Sequence, residues 1–367
     1  MPLVPHGGDI FGAARRLGVP VSRLLDFSAN INPLGLSPKA SRRLRRELHS
    51  VCHYPDQRQE ELRHLIASKG NIDPECVVFG NGATQLLYLI PRSLKPRKAL
   101  LIVPGFPEYH ASLVAAQSSI REFRLRAEES FSLKPAVFLE ALDKQRPDLV
   151  LLANPNNPTG TVVPRLVLLE IAGFCRGHGA HFIVDESFID FTQEVSLAKR
   201  AVEEPGLIVV RSLTKFFALP GLRIGYLVAH RSLAQTLGQT LEPWSVNTLA
   251  LVSAAESIKD AAYRKRSLAL VARERDYLLG CLKKLGWMEP FPTQTNFVLA
   301  RIKSPQIRGG MLRQELEGMH LLIRDSCGFK GLGPQFVRFA VRTHKENKRL
   351  ISALRVAGER FSSTCQV

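Results

Sequence analysis

Residues 207–229 read LIVVRSLTKFFALPGLRIGYLVA. An apolar, β-branched run, Leu207–Arg211, passes into Ser212-Leu213-Thr214-Lys215, and after Pro220-Gly221 a second apolar run, Ile224–Val228, begins. Short runs of this kind bounded by turn residues are strands. A lysine therefore stands just beyond the end of a buried strand and leads into Phe216-Phe217-Ala218-Leu219. An ammonium among apolar residues has a lowered pKa, and the neutral amine suits Schiff-base chemistry. A lone lysine in that setting can equally lay its stem on apolar surface and keep its amine in water.

Working outward, the same pattern recurs. Cys76–Phe79, Ala99–Val103, Ile120–Leu125, Asp148–Ala153 and His181–Val184 read as further strands. Helical patterns at Thr84–Leu94, Glu108–Gln117, Ala136–Lys144 and Val163–His178 lie between them. Strands alternating with crossover helices imply an α/β fold with a mostly parallel, seven-stranded sheet. A long helical region then runs from about Asn247 to Leu285. Beyond it, strands at Asn296–Ile302, Leu321–Arg324 and Phe336–Arg342 alternate with helices near Pro305–Gly318 and Lys345–Phe361, a smaller α+β unit. The start of the chain, with Pro33, Gly35 and Pro38 and little periodicity after Leu17, reads as an extended arm. The expected organisation is an arm at 1–45 packing on the small domain and the cleft, a large domain at 46–245 and a small domain at 246–367.

Ligands of open α/β sheets collect beyond the carboxyl ends of the strands. The residues there are Gly80-Asn81-Gly82-Ala83-Thr84, Pro104-Gly105-Phe106-Pro107-Glu108-Tyr109, Asn154-Pro155-Asn156-Asn157-Pro158-Thr159-Gly160, Asp185-Glu186-Ser187-Phe188, and Ser212–Lys215 followed by Arg223. Gly80–Thr84 offers free N–H groups and a hydroxyl at a helix N-terminus, a phosphate seat by geometry and dipole, unless the glycines serve only the turn. Asp185 ends an apolar strand, so its carboxylate either needs a cationic partner or caps a helix.

Composition bounds the alternatives. The 367 residues carry 50 Lys+Arg against 33 Asp+Glu, a net charge of +17, with 45% hydrophobic and 23% charged residues. That is an ordinary globular composition, not a disordered, collagen-like or membrane-bundle one. The basic residues are dispersed, and no aromatic-interleaved basic motif appears, so the expectation is no nucleic acid and no membrane as partner. A field attracting small anions accounts for the charge better. The cysteines, Cys52, Cys76, Cys175, Cys281, Cys327 and Cys365, form no C-x-x-C pair and no metal-site spacing. Together with an N-terminal stretch lacking an apolar signal-like core, this gives the expectation of a cytoplasmic protein without metal.

Ser212-Leu213-Thr214-Lys215-x5-Gly221-Leu222-Arg223-x-Gly225-Tyr226 and Asn154-Pro155-x-Asn157-Pro158-Thr159-Gly160, in this order, resemble fold type I pyridoxal-phosphate enzymes of the aspartate-aminotransferase fold. The resemblance runs from His6 to about Arg349. It implies pyridoxal 5′-phosphate as cofactor and a homodimer with active sites at its interface. It implies catalytic roles for Lys215, Asp185, Asn157 and Tyr109: Lys215 carries the cofactor, Asp185 faces the pyridine nitrogen, Asn157 meets the ring oxygen O3′, and Tyr109 stacks on the ring. Gly82, Ala83, Thr84, Ser212 and Arg223 would hold the cofactor phosphate, and Tyr54 would reach it from the other subunit. Arg338, with Arg324 as second candidate, matches the arginine that grips a substrate carboxylate.

Two subfamilies of phosphorylated amines are similar, histidinol-phosphate aminotransferases and threonine-phosphate decarboxylases. His6-Gly7-Gly8-Asp9-Ile10, Asp26-Phe27-Ser28-Ala29-Asn30-Ile31-Asn32-Pro33, Glu186–Phe191 and Pro243–Asn247 look like the decarboxylases. An imidazole with unhindered backbone amides suits a second phosphate, so His6, Gly7 and Asn30, with Arg324, are the expected seat of the substrate phosphate, and Asn157 adjoins it. Phe188 stands where the aminotransferases carry a tyrosine, and Ser187 where they carry an alanine; the latter receives no role. The expected reaction is decarboxylation of threonine phosphate, with histidinol-phosphate transamination as the alternative.

Overall fold

Apolar runs too short for helices and buried on both faces form the centre of a parallel sheet. In the computed structural model, which describes residues 6–192 and 196–364, the strands are β1 (Val77–Gly80), β2 (Lys98–Val103), β3 (Ser119–Arg124), β4 (Leu149–Ala153), β5 (His181–Asp185), β6 (Leu207–Ser212) and β7 (Gly225–Ala229). They make one seven-stranded sheet in the order β1-β7-β6-β5-β4-β2-β3. Only β7 runs antiparallel to its neighbours. Every residue of β4 and β7 is buried. β3, SIREFR, is one of the two edge strands, and its exposed Arg121, Glu122 and Arg124 discourage further strand pairing. Separate apolar clusters cover the two faces of the sheet.

A second sheet, wholly antiparallel, joins β8 (Met288–Pro290), β9 (Phe297–Ile302), β10 (Arg324–Asp325) and β11 (Phe336–Ala340) in the order β10-β11-β9-β8. Its register sets Arg324 directly opposite Arg338. Like charges facing each other across a ladder are destabilising, so this pairing points to function rather than stability. The expected strand Leu321–Arg324 is divided: Leu321–Leu322 pairs in parallel with Leu25–Asp26, and Arg324 begins β10.

Helices depart from the expectation at Glu60–Gly70, which was not singled out, in the arm, and after residue 247. The arm is not extended throughout; it carries helices Ile10–Leu17 and Pro38–Glu47, the second capped by the Ser37 hydroxyl. The charges of PKASRRLRRE conceal its one buried residue, Ala40. The region 247–285 is broken at Asp260, whose carboxylate accepts from Tyr263 N at 3.1 Å and from Ser37 Oγ at 2.6 Å. The resulting helix Ala261–Lys284 buries Tyr263 and Val271 in a core of the large sheet and Leu278 and Leu282 in that of the small one. It thus spans the two units. Among the described residues no helix is long and apolar enough to cross a membrane, and no acidic, histidine or cysteine group could hold a metal. The described cysteines are all free; Cys365 lies outside the described residues.

Candidate active site

β1 turns at Gly80-Asn81-Gly82 into the helix Ala83–Leu94. Gly82, at φ +82°, is its N-cap and supplies no side chain, so the leading amides and the positive helix end stay open to an anion. Arg223, itself at φ +57°, lies over this turn: a Cβ on Gly82 would sit 2.5 Å from its Nη2. A Cβ on Gly225 would meet Ala83 N at 2.6 Å. The backbone is thus stripped of side chains where a guanidinium and open amides converge. Ser212 Oγ and Thr214 Oγ1, both buried and 2.7 Å apart, complete the cradle.

A cavity of about 540 Å³ continues from there. Lys215 stands half-buried in its wall. Burial, then Arg223 and Arg338, lower its pKa from 10.5 to about 8, against the pull of Asp185. Asp185, at the end of β5, is buried. Its Oδ2 accepts from Tyr109 OH at 2.6 Å, and its Oδ1 accepts from Ser187 N at 2.8 Å and Ser187 Oγ at 2.6 Å. Burial raises the pKa of this carboxyl while the Ser187 and Tyr109 donors and Lys215 oppose it. Ser187 therefore has a place the sequence reading left blank. An aspartate followed two residues later by serine is a local turn in which the carboxylate accepts from the i+2 amide, a signal present in Asp185-Glu186-Ser187.

The far wall holds the facing arginines. Arg324 and Arg338 are 5% and 6% exposed. Arg338 donates to Asn157 Oδ1 and, at 2.8 Å, to the Ser28 carbonyl; Arg324 donates to the Cys327 carbonyl at 2.7 Å. Both guanidinium groups lie within 6 Å of the Phe329 ring centre, at 5.1 and 5.7 Å. Among the described residues neither has an ion-pair partner, and burial pushes the pKa of both down, with Arg324 adding to the effect on Arg338. Buried cations with only neutral partners favour an anion. His6, Gly7 and Asn30 line the same cavity. His6 Nε2 lies 2.8 Å from Glu108 Oε1, and Tyr88 OH donates to the other oxygen of Glu108 at 2.5 Å. Asn30 is buried with its Oδ1 unpartnered.

The cavity thus brings together His6, Gly7, Asn30, Ala83, Thr84, Tyr109, Asn157, Asp185, Ser212, Lys215, Arg223, Arg324 and Arg338. Gly82 lies behind it, under Arg223. Tyr54 does not reach it; this residue is 78% exposed and stacks on Trp244 at 4.5 Å, beside a separate surface hollow. Ser28, Glu108, Ser187, Thr214 and Phe329 also line the cavity and were not singled out as site residues. Ser187 and Thr214 carried a local signal, and so did Ser28, whose Asp26-Phe27-Ser28 repeats the turn of Asp185-Glu186-Ser187.

The family model for aminotransferase class I and II matches residues 22–354. The chain is 36% identical over 352 residues to the threonine-phosphate decarboxylase of Salmonella typhimurium, covering 95% of each chain. The histidinol-phosphate aminotransferase of Clostridium acetobutylicum superposes with a TM-score of 0.85 at 30% identity, over 92% of this chain and 100% of that one. The L-threonine-O-3-phosphate decarboxylase of Porphyromonas gingivalis superposes with a TM-score of 0.80 at 26% identity, over 91% and 99%.

Proposed function

The chain belongs to the aminotransferase class I and II family, and within it we propose that it is a pyridoxal-phosphate-dependent carboxy-lyase that converts L-threonine O-3-phosphate to (R)-1-amino-2-propanol O-2-phosphate, the linker of the cobalamin nucleotide loop. The observation that carries this reading is the cavity's charge. One cavity holds an open helix N-terminus under Arg223 and, apart from it, the facing pair Arg324 and Arg338. With His6, Gly7 and Asn30 as a third seat in the same cavity, two phosphates and a carboxylate match the three. The similarity to decarboxylases of threonine phosphate supports it.

The cradle fits pyridoxal 5′-phosphate: a side chain on Gly82 would fill the space Arg223 covers, and an amine and a buried carboxylate line the same cavity. When bound, the cofactor supplies an aldehyde that captures an amine and a ring that takes up the electron pair of a breaking bond. Gly82, Ala83, Thr84, Ser212 and Arg223 would hold its phosphate, Asn157 its ring oxygen, Asp185 its ring nitrogen, and Tyr109 its ring face. Lys215 Nζ is the amine that would carry it. With a pKa of about 8, roughly a fourth of this amine is neutral at pH 7.5, against roughly one part in a thousand at the ordinary lysine value. His6, Gly7 and Asn30 bind the substrate phosphate. The arginine pair grips the carboxylate and so selects the bond to be broken. After CO2 leaves, Lys215 Nζ would donate a proton to Cα in place of the lost carboxylate. Phe329 covers both guanidiniums and keeps water from them.

The protein acts as a homodimer in this reading, cytoplasmic and without metal or nucleic acid. Tyr54, exposed on the surface with Trp244, is offered to the partner subunit's cofactor phosphate. The alternative, transamination of histidinol phosphate, draws on the likeness to the Clostridium enzyme. Product analysis separates the two. Holoenzyme with threonine phosphate should release one CO2 per amino alcohol phosphate and form no keto acid. Turnover of histidinol phosphate that depends on 2-oxoglutarate would reverse the assignment.

A further inference from the structure

We infer that Ser28 is a positioning residue that ties the phosphate-binding arm to the arginine pair, so that both ends of the substrate are gripped by one bonded unit. The inference rests on the proposed function, in which His6 and Gly7 meet a phosphate and Arg338 lies beside a carboxylate.

The connection is a short relay. Asp26 Oδ1 accepts from Ser28 Oγ at 2.6 Å, from Ser28 N at 2.7 Å and from Ala29 N at 3.3 Å. With its proton committed to Asp26, the Ser28 hydroxyl turns its lone pairs to Gly8, whose N–H donates to it at 2.7 Å. The Ser28 carbonyl accepts from Arg338 Nη2 at 2.8 Å. One buried residue thus holds the arm through its side chain and the arginine through its backbone. Gly7 packs so closely on that carbonyl that a Cβ would come within 2.2 Å of it.

The relay is itself fixed to the small sheet. Phe27 N donates to Leu322 O at 2.7 Å, Ala340 N donates to Phe27 O at 2.8 Å, and Arg342 Nη1 donates to Asp26 O at 3.0 Å. The arm segment is therefore bonded directly to the strand that carries Arg338, opposite Arg324. The bonds through Ser28 and Phe27 set the spacing between the arm segment and the arginine pair. A fixed spacing between a phosphate seat and a carboxylate seat selects ligands that carry both groups at a short separation, and it acts before any bond is broken.

The division of labour within Ser28 makes the idea testable. Ser28→Ala removes the hydroxyl and frees Gly8, yet leaves the carbonyl on Arg338. In holoenzyme, the variant should raise the KM for threonine phosphate and the inhibition constant of inorganic phosphate roughly fivefold to tenfold, the size of one hydrogen bond. The kcat and the inhibition constant of L-threonine, which lacks the phosphate, should stay within about twofold. Gly7→Ala reaches the same junction without touching Ser28. By displacing the carbonyl it should weaken both inhibitors. A merely structural serine would raise KM and both inhibition constants and lower kcat together, or lower only the melting temperature. Unchanged phosphate constants in Ser28→Ala, or an equal loss for threonine, would overturn the coupling. Failure of inorganic phosphate to compete in the wild type would instead overturn the substrate reading, and the role of Ser28 with it.

Discussion

Replacing Lys215 by methionine should stabilise the protein that lacks cofactor. The side chain is half-buried near Arg223 and Arg338, and its pKa falls from 10.5 to about 8. A decade of proton affinity is worth about 1.36 kcal/mol, so folding penalises the ammonium by about 3 kcal/mol as an upper bound. The sign follows from proton counting. Below pH 8 both folded and unfolded chains carry the charge, and the penalty is whole. Between pH 8 and 10.5 the unfolded chain binds more protons, so wild-type stability rises with pH. Above 10.5 the penalty is gone. Methionine fills a similar volume without a charge, so Lys215→Met should gain about 2–3 kcal/mol at pH 7, and the gain should shrink towards pH 10.5. Urea denaturation of the two proteins without cofactor, followed by circular dichroism at pH 7, 8, 9 and 10, measures it. No gain at neutral pH, or a gain independent of pH, would refute a desolvated lysine in this cavity.

Three further substitutions probe the rest of the site. Arg338→Met should lower kcat/KM for threonine phosphate by about two orders of magnitude, the loss of one charged contact worth up to about 3 kcal/mol, while chemical denaturation finds the fold as stable or more so, because a buried like-charge pair with Arg324 is relieved. Ser187→Ala deletes a 2.6 Å donor to Asp185 and should raise the carboxyl pKa further. Cofactor affinity measured by absorbance titration should fall by about tenfold, as expected for a hydrogen bond to a charged group, and an unaltered affinity would remove Ser187 from the site. Gly82→Ala places a methyl 2.5 Å from Arg223 Nη2 at φ +82°, a strain of about 1–3 kcal/mol. The same titration should register at least a tenfold weaker cofactor, with little change in the far-ultraviolet spectrum.

The strands were legible because parallel strands buried on both faces read as unbroken apolar runs: LVLLA at Leu149–Ala153 admits little else. Tyr109, Asn157, Asp185 and Lys215 were legible for the same reason, since each follows such a run. Pro38–Glu47 was not, because six charged side chains hide a single buried alanine. Nor was the division at Ile323, because which sheet a two-residue strand joins depends on Leu25 and Val337, far away in sequence. The site residues that escaped notice hold others in place. Ser28 was quoted only as part of a segment, and its partners Gly8 and Arg338 lie 20 and 310 residues away. Tyr109 was expected at the ring face, but its bond to Asp185 crosses 76 residues. Periodicity and local motifs record what a residue does for its own element; contacts across the fold leave no mark in them.

The account depends on the amine at position 215 being the one that captures the cofactor aldehyde. Borohydride reduction of the holoenzyme, followed by proteolysis and peptide mass mapping, measures this directly. A phosphopyridoxyl mass should appear on the peptide containing Lys215 and on no other. The same mass on a different lysine, or none after loading with pyridoxal phosphate, would contradict the account.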